Sequence, residues 1–145
     1  MSKLTRLQIL GIAKTSRNLV KANLTDLDLS GADLREVNLR DSNLSGSNLQ
    51  QANLHLADLR GTNLQDSNLT KATLTYTNLR DANLSNANLT KVDLRYANLE
   101  GANMEGAKHA ANLTVDNMRQ ARYNHDTKWP TGFNPQGSGT VLLED

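Results

Sequence analysis

Leucine returns every fifth residue, at Leu24, Leu29, Leu34, Leu39 and onward to Leu99, with Met104 taking the final step. Seventeen consecutive repeats therefore fill more than half of a 145-residue chain. The residue before the leucine is Asn or Asp at every step but one, where it is Thr73. Two places before it stands a small or β-branched residue, as at Ala22, Ala32, Val37, Ser42 and Ala52; Leu27 is the one large exception. A period of five matches neither the 3.6 of a helix nor the 2.0 of a strand. On a helix these leucines would be smeared around the whole surface. To keep them all on one side, the chain must turn a corner after each short extended segment and wind as a polygon. The leucine and the small residue two before it then point inward, and the other three positions face solvent or the corners. Pairing between successive coils sets a rise of about 4.8 Å.

Composition agrees with a narrow, regular interior. Aromatic residues are only 3% of the chain, so the core has to be aliphatic, and an irregular core without aromatic bulk would pack poorly. Cysteine is absent, which excludes disulfides, thiolate metal sites and cysteine nucleophiles. The apolar stretch Ile9-Leu10-Gly11-Ile12-Ala13 is too short for a usual signal peptide and is closed by Lys14. No segment reaches the roughly 18 apolar residues of a membrane span. The expectation is a cytoplasmic protein with no membrane span.

The run Ala22-Asn23-Leu24, Ala32-Asp33-Leu34, Ala52-Asn53-Leu54 and Ala82-Asn83-Leu84 resembles the pentapeptide-repeat family, with its A(D/N)LXX signature. The resemblance covers residues 22–106 or so, and it implies an all-β fold: a right-handed quadrilateral β-helix with four repeats, or 20 residues, per coil. Seventeen repeats then make a little over four coils, roughly 20 Å long at the inter-strand spacing. Leu24, Leu44, Leu64, Leu84 and Met104 form one interior column, with three others beside it. The narrow interior demands the small residues, and Asn and Asp fit the corners by bonding nearby backbone N–H groups.

A solenoid leaves an open core and sheet edge at each end, so caps are expected. Residues 1–17 read as a basic N-terminal cap with a short helix, Ser2 as its N-cap and Leu4, Leu7 and Leu10 on one side. Residues 18–108 are the solenoid, with a partial repeat beginning at Asn18-Leu19. The frame breaks at His109, where an interior leucine is due. Residues 109–135 read as a C-terminal cap, with a helix at about 114–122 carrying Val115, Met118 and Ala121. The segment Trp129-Pro130-Thr131-Gly132-Phe133-Asn134-Pro135 resembles the tail that follows the repeats in many cyanobacterial members, and Trp129 and Phe133 are expected to cover the last coil. Residues 136–145, with Gly137-Ser138-Gly139, read as a flexible tail.

With 20 residues per coil, functional chemistry would appear as outward columns. One holds Glu36, Leu56, Tyr76 and Tyr96, the other Arg40, Arg60 and Arg80, ending in Glu100. Leu56, Tyr76, Tyr96, Arg40, Arg60 and Arg80 are the candidate partner-binding residues. Each column has a plainer reading, ladder packing between coils for the first and a charge-compensated solvated face for the second. Arg35, His55 and Arg95 lie beside the tyrosines.

The sequence does not read as an enzyme. His55, His109 and His125 have no metal-ligand or triad spacing, and no phosphate-binding glycine loop is present. No cofactor, metal or small-molecule substrate is expected. The family also includes members that mimic duplex DNA and bind topoisomerases such as gyrase, and that activity is the alternative. Duplex DNA carries a charge every ~1.7 Å, so a mimic of this length needs about 12 net negative charges. Residues 26–108 hold 8 bases and 11 acids. Nucleic-acid binding is also disfavoured, because acids accompany the arginines. A rigid scaffold or protein-interaction module with an unidentified protein partner remains, with a monomer favoured over an end-to-end dimer.

Overall fold

A computed structural model describes residues 3–144. From Asn18 onward the chain winds as a right-handed quadrilateral β-helix. Each coil takes 20 residues: Asn18 bridges Asn38 in parallel, Asn23 bridges Asn43, and the series runs unbroken to Asn88 with Lys108. The four sides are numbered by the residue that bridges in the first coil: face I by Asn18, face II by Asn23, face III by Asp28 and face IV by Asp33.

Each corner is a tight turn, and at all but the one before Leu27 the carbonyl of the interior residue accepts the N–H three residues on, as Leu19 O does from Ala22 N at 3.1 Å. The second residue after the leucine has positive φ throughout, from 53° at Lys91 to 71° at Gly106. That backbone belongs to the third position of a type II turn, where glycine is the easiest occupant. The leucine N–H donates upward to the next coil, as Leu24 N does to Asn43 O at 2.8 Å. The side chain of the Asn or Asp before it folds back onto its own strand; Oδ1 of Asn63, for example, accepts Gln65 N at 3.0 Å.

Interior leucines from Leu19 to Leu99 are buried, none more than 2% exposed. Each such side chain contributes about 1.5–3 kcal/mol gross relative to exposure. Leu27, the large residue at a small position, is only half-buried, and its turn lacks the usual backbone bond. Ser47 of the next coil replaces that bond: its Oγ donates to Leu24 O at 2.6 Å and accepts Leu27 N at 3.4 Å. Ser67 Oγ, one coil higher, is buried without a partner, and nothing around it explains why.

Helix α1, Arg6–Lys14, lies under the first coil with Ile9 and Ala13 buried. The cap expected at Ser2 lies outside the described residues. Thr5 caps α1 in a reciprocal box with Gln8. Arg6 reaches the open edge of face III, its Nη1 and Nη2 donating to Asp28 O at 2.8 Å and Ser30 O at 2.9 Å.

At the other end two expectations are corrected. The helix placed at about 114–122 is a single turn, α2 at Val115–Met118, preceded by a 3-10 turn at Ala110–Asn112. The coil below claims the chain: Leu94 N donates to Asn117 O and Tyr96 N to Arg119 O, so the backbone is drawn into edge pairing. His109, at the break in the frame, turns outward with φ 61° and is exposed. The segment after Pro135 is not free. Strand β2, Val141–Leu142, pairs in parallel with β1, Arg122–Tyr123, and Asn98 bridges Arg122 in turn. Face I therefore rises by two layers after Asn98. Trp129 and Phe133 pack against the core, with ring centroids 5.0 Å apart and Tyr123 5.4 Å from Trp129. No described helix is long and apolar enough to cross a membrane.

Candidate functional site

The edge between faces IV and I carries the column Glu36, Leu56, Tyr76 and Tyr96. All four stand in the left-handed conformation, with φ between 57° and 62°. The other edges meet this requirement with Gly, Asp, Asn, Gln and Lys. Leu and Tyr cost about 1–2 kcal/mol each there, because Cβ crowds the following carbonyl, as it also does for Gln51, Lys71 and Lys91 on another edge. Yet Leu56, Tyr76 and Tyr96 are 49%, 52% and 41% exposed. The two tyrosine rings lie parallel, 4.6 Å between centroids and 3° between planes. His55 meets Tyr76 edge-on at 5.8 Å, and its Nδ1 lies 2.6 Å from Thr75 Oγ1. Below the stripe, Glu36 pairs with Arg17 at 3.0 Å. Between α1 and this lower end opens a cleft of about 410 Å³ walled by Lys14, Arg17, Arg35, Glu36, His55 and Leu56.

The arginine column runs along the opposite border of the same face. Face I thus lies between the two candidate stripes, with Asn38, Asp58, Asn78 and Asn98 down its middle. The arginines are not alike. Arg60 grips Asp58, with Nε to Oδ1 at 2.9 Å and Nη2 to Oδ2 at 2.5 Å. Arg40 makes a looser contact with Asp41 at 3.5 Å. Among the described residues Arg80 has no carboxylate within salt-bridge distance. On face IV, Arg35 and Arg95 grip Asp33 and Asp93, each at 2.8 Å.

The pairing follows a rule that leucine periodicity alone does not reveal. Where Asp precedes the leucine and Arg follows it (Asp33-Arg35, Asp58-Arg60, Asp93-Arg95), the side chains meet across the strand. Where Asn precedes, as at Asn38 and Asn78, the second acceptor oxygen is an NH₂ donor and the guanidinium is left unmatched. The triplet Asp-Leu-Arg against Asn-Leu-Arg is the signal that would have sorted them. Hydrogen bonds from Arg35 bring the Asp33 carboxyl down to about 2. Those from Arg60 lower Asp58 as well. The three gripped guanidinium groups are raised in return. Asp28 is lowered mainly by the Ser30 hydroxyl.

Among the described residues no cluster of three or more His, Asp or Glu side chains is placed to hold a metal ion. The surface offers an apolar, aromatic edge, a flat amide-lined face, and a border formed by Arg40, Arg60 and Arg80, of which only Arg80 has no carboxylate partner among the described residues.

The family model that matches this chain is that of pentapeptide repeats, at residues 18–41, 38–75 and 67–106. Among solved structures, a pentapeptide repeat protein of the Arabidopsis thaliana thylakoid lumen is 38% identical, with a TM-score of 0.43. That alignment covers 66% of this chain and 58% of the other, so this chain spans under two thirds of that protein's length. A pentapeptide repeat protein of Nostoc Pcc 7120 is 23% identical over 99% of both chains, with a TM-score of 0.44. Another, from the cyanobacterium Cyanothece 51142, is 25% identical over 94% of this chain and 99% of the other, with a TM-score of 0.40. No curated protein matches the chain.

Proposed function

The chain belongs to the pentapeptide-repeat family, and from that premise we propose that it is a rigid, non-enzymatic scaffold that docks a protein partner along the edge of Leu56, Tyr76 and Tyr96 and across face I to the arginine border. The observation that carries this reading is the exposure of three large apolar side chains in one line along this edge. Three large side chains occupy left-handed positions that the fold elsewhere gives to Gly, Asp, Asn, Gln or Lys, and they stay about half exposed. Coil packing alone rewards them modestly, since an aromatic pair adds about 0.5–1.5 kcal/mol, and only Tyr76 and Tyr96 are stacked. Exposed aromatic anchors on a rigid support lose little entropy when a partner covers them.

A duplex-DNA surface receives no support from the electrostatics. Three of the acids it would use, Asp33, Asp58 and Asp93, are held in arginine pairs.

The test uses immobilised chain and lysate of its host, with wild type beside the double variant Tyr76→Asn/Tyr96→Asn. Asn tolerates the left-handed backbone, so the fold is preserved while the rings are removed. A control, Lys71→Asn/Lys91→Asn, alters the corner between faces III and IV. The expected result is a protein retained by wild type and control and lost with the tyrosine variant. Equal retention by all three, or retention by none, would sink the docking edge.

A further inference from the structure

The first coil and strand β2 are the two ends of face I, and each leaves its pairing groups open. Within the solenoid, the leucine N–H and the N–H two places later donate to the coil above, as Leu19 N does to Asn38 O and Lys21 N to Arg40 O. The carbonyls in the lowest layer that correspond to those acceptors are Asn18 O and Val20 O. Among the described residues no donor reaches either one. Face III has the same exposed pair of carbonyls, and there Arg6 closes both. Face I has no such closure. Beside it instead lies an apolar groove of about 210 Å³ walled by Leu4, Ile12, Leu19, Val20 and Ala22.

The upper end is the complement. Val141 N and Leu143 N donate down to Ala121 O and Tyr123 O, which leaves Leu142 N and Glu144 N without an acceptor among the described residues. Leu142 is in register with Tyr123, so it takes the next interior step above that buried ring, and it remains 36% exposed. Its position relative to a coil above it would be that of Leu19 relative to Leu39.

We propose that copies of this chain stack head to tail, with Leu142–Glu144 of one copy pairing as a parallel strand with Asn18–Val20 of the next. In that stack Leu142 N donates to Asn18 O and Glu144 N to Val20 O, the pair of bonds that Leu19 and Lys21, Leu39 and Asp41, Leu59 and Gly61, and Leu79 and Asp81 make to the coil above on this face. Leu142 enters the groove beneath Leu19. Charge selects this orientation. The first 25 residues hold Lys3, Arg6, Lys14, Arg17 and Lys21 with no acid, so two lower ends repel each other. Glu144 instead arrives beside Arg17 and Lys21, which flank the open edge. The contact is heterologous and does not close on itself, so it yields an open series and not a two-fold dimer. One short strand buries little area, so association is weak, reversible and dependent on concentration. This inference is independent of the docking edge.

Sedimentation velocity on the full chain, up to millimolar concentration and at low and high salt, tests it. Wild type is expected to form a concentration-dependent series that weakens with salt. Leu142→Pro removes the upward N–H and keeps both β1–β2 donors, so the dissociation constant should rise about tenfold or more while the chain stays folded by circular dichroism. Lys21→Glu and Glu144→Lys should each weaken the series, and the two together should restore it. Wild type that stays monomeric throughout overturns the proposal. So does association that ignores Leu142→Pro, or a charge swap that fails to restore it.

Discussion

Faces II and III differ from faces IV and I in everything but their interior. On face II the outward residues are Asn23, Thr25, Asn43, Ser45, Asn63, Gln65, Asn83, Ser85 and Asn103, with Glu105 the one charge at its upper end, and face III is nearly as plain. Their polar groups satisfy one another within the strand. Thr70 Oγ1 donates to Asn68 Oδ1 at 2.6 Å, and Thr90 repeats the bond with Asn88. Faces IV and I carry the gripped arginines, the unpaired Arg80, His55 and, along their shared edge, the exposed leucine and tyrosines. The plainer half shows how little the coil asks of its surface: for most of its length an amide before the leucine, a small polar residue after it, and a turn residue at ease with positive φ. Whatever exceeds this on the other half is not required by the winding, and this contrast is what singles out one edge.

The comparison rests on equal interiors, so the largest predicted effect tests that equality. Leu64→Ala, under face II, and Leu74→Ala, under face IV, remove fully buried side chains from the same kind of layer. Each is expected to cost about 2–5 kcal/mol in denaturant melts, and the two should agree to within about 1 kcal/mol. A much milder effect at Leu74 would mean that the charged half sits over a looser core, and its side chains would then need a packing explanation.

A smaller effect separates the corners. Gly46, between faces II and III, has φ 68°, and a Cβ there would run into Asp26 Oδ1 of the coil below. The carboxylate can swing aside, so the cost of Gly46→Ala is mainly the left-handed backbone, about 1–2 kcal/mol. The tyrosine-to-asparagine exchange works in the opposite sense, relieving the same strain while losing a stack. Its net effect on stability should stay below about 1 kcal/mol. A large loss on removing the rings would return them to coil packing and weaken the contrast between edges.

The winding was legible because a five-residue period admits few solutions, and even its one irregular step, Leu27, was marked in the sequence. The ends were not legible by the same means. Nothing local in residues 114–122 argues against a longer helix; what shortens it is the demand of Leu94 and Tyr96 for acceptors, which arises only after the coils are stacked. The glycines around Ser138 read as a loose tail for the same reason, since the acceptors Ala121 and Tyr123 that order β2 lie about 20 residues away in sequence. The stripe was legible as a column, but its conformational cost was not, because that cost appears only once positive φ is known at Tyr76 and Tyr96. The arginines were legible as a column and illegible as pairs until the strand geometry placed residues two apart on one side.

That geometry gives the smallest and most selective prediction. Arg35 holds the Asp33 carboxyl at about 2, below its ordinary 3.8. A depressed folded-state value means that the folded chain releases this proton more readily than the unfolded chain. The stabilisation is therefore present above the ordinary value and lost as pH falls toward 2. Both side chains are more than half exposed, so solvent screening keeps the pair to at most about 1 kcal/mol. Asp33→Asn should lower the melting temperature slightly at neutral pH and flatten the acid limb between about pH 4 and pH 2. Asn63→Ala on face II, where no guanidinium faces the amide, should leave that limb as it is in wild type. An acid limb unchanged by Asp33→Asn would show that Arg35 and Asp33 do not hold each other in solution. The gripped pairs would then join the plainer half as surface the fold merely tolerates, leaving the aromatic edge to carry the asymmetry alone.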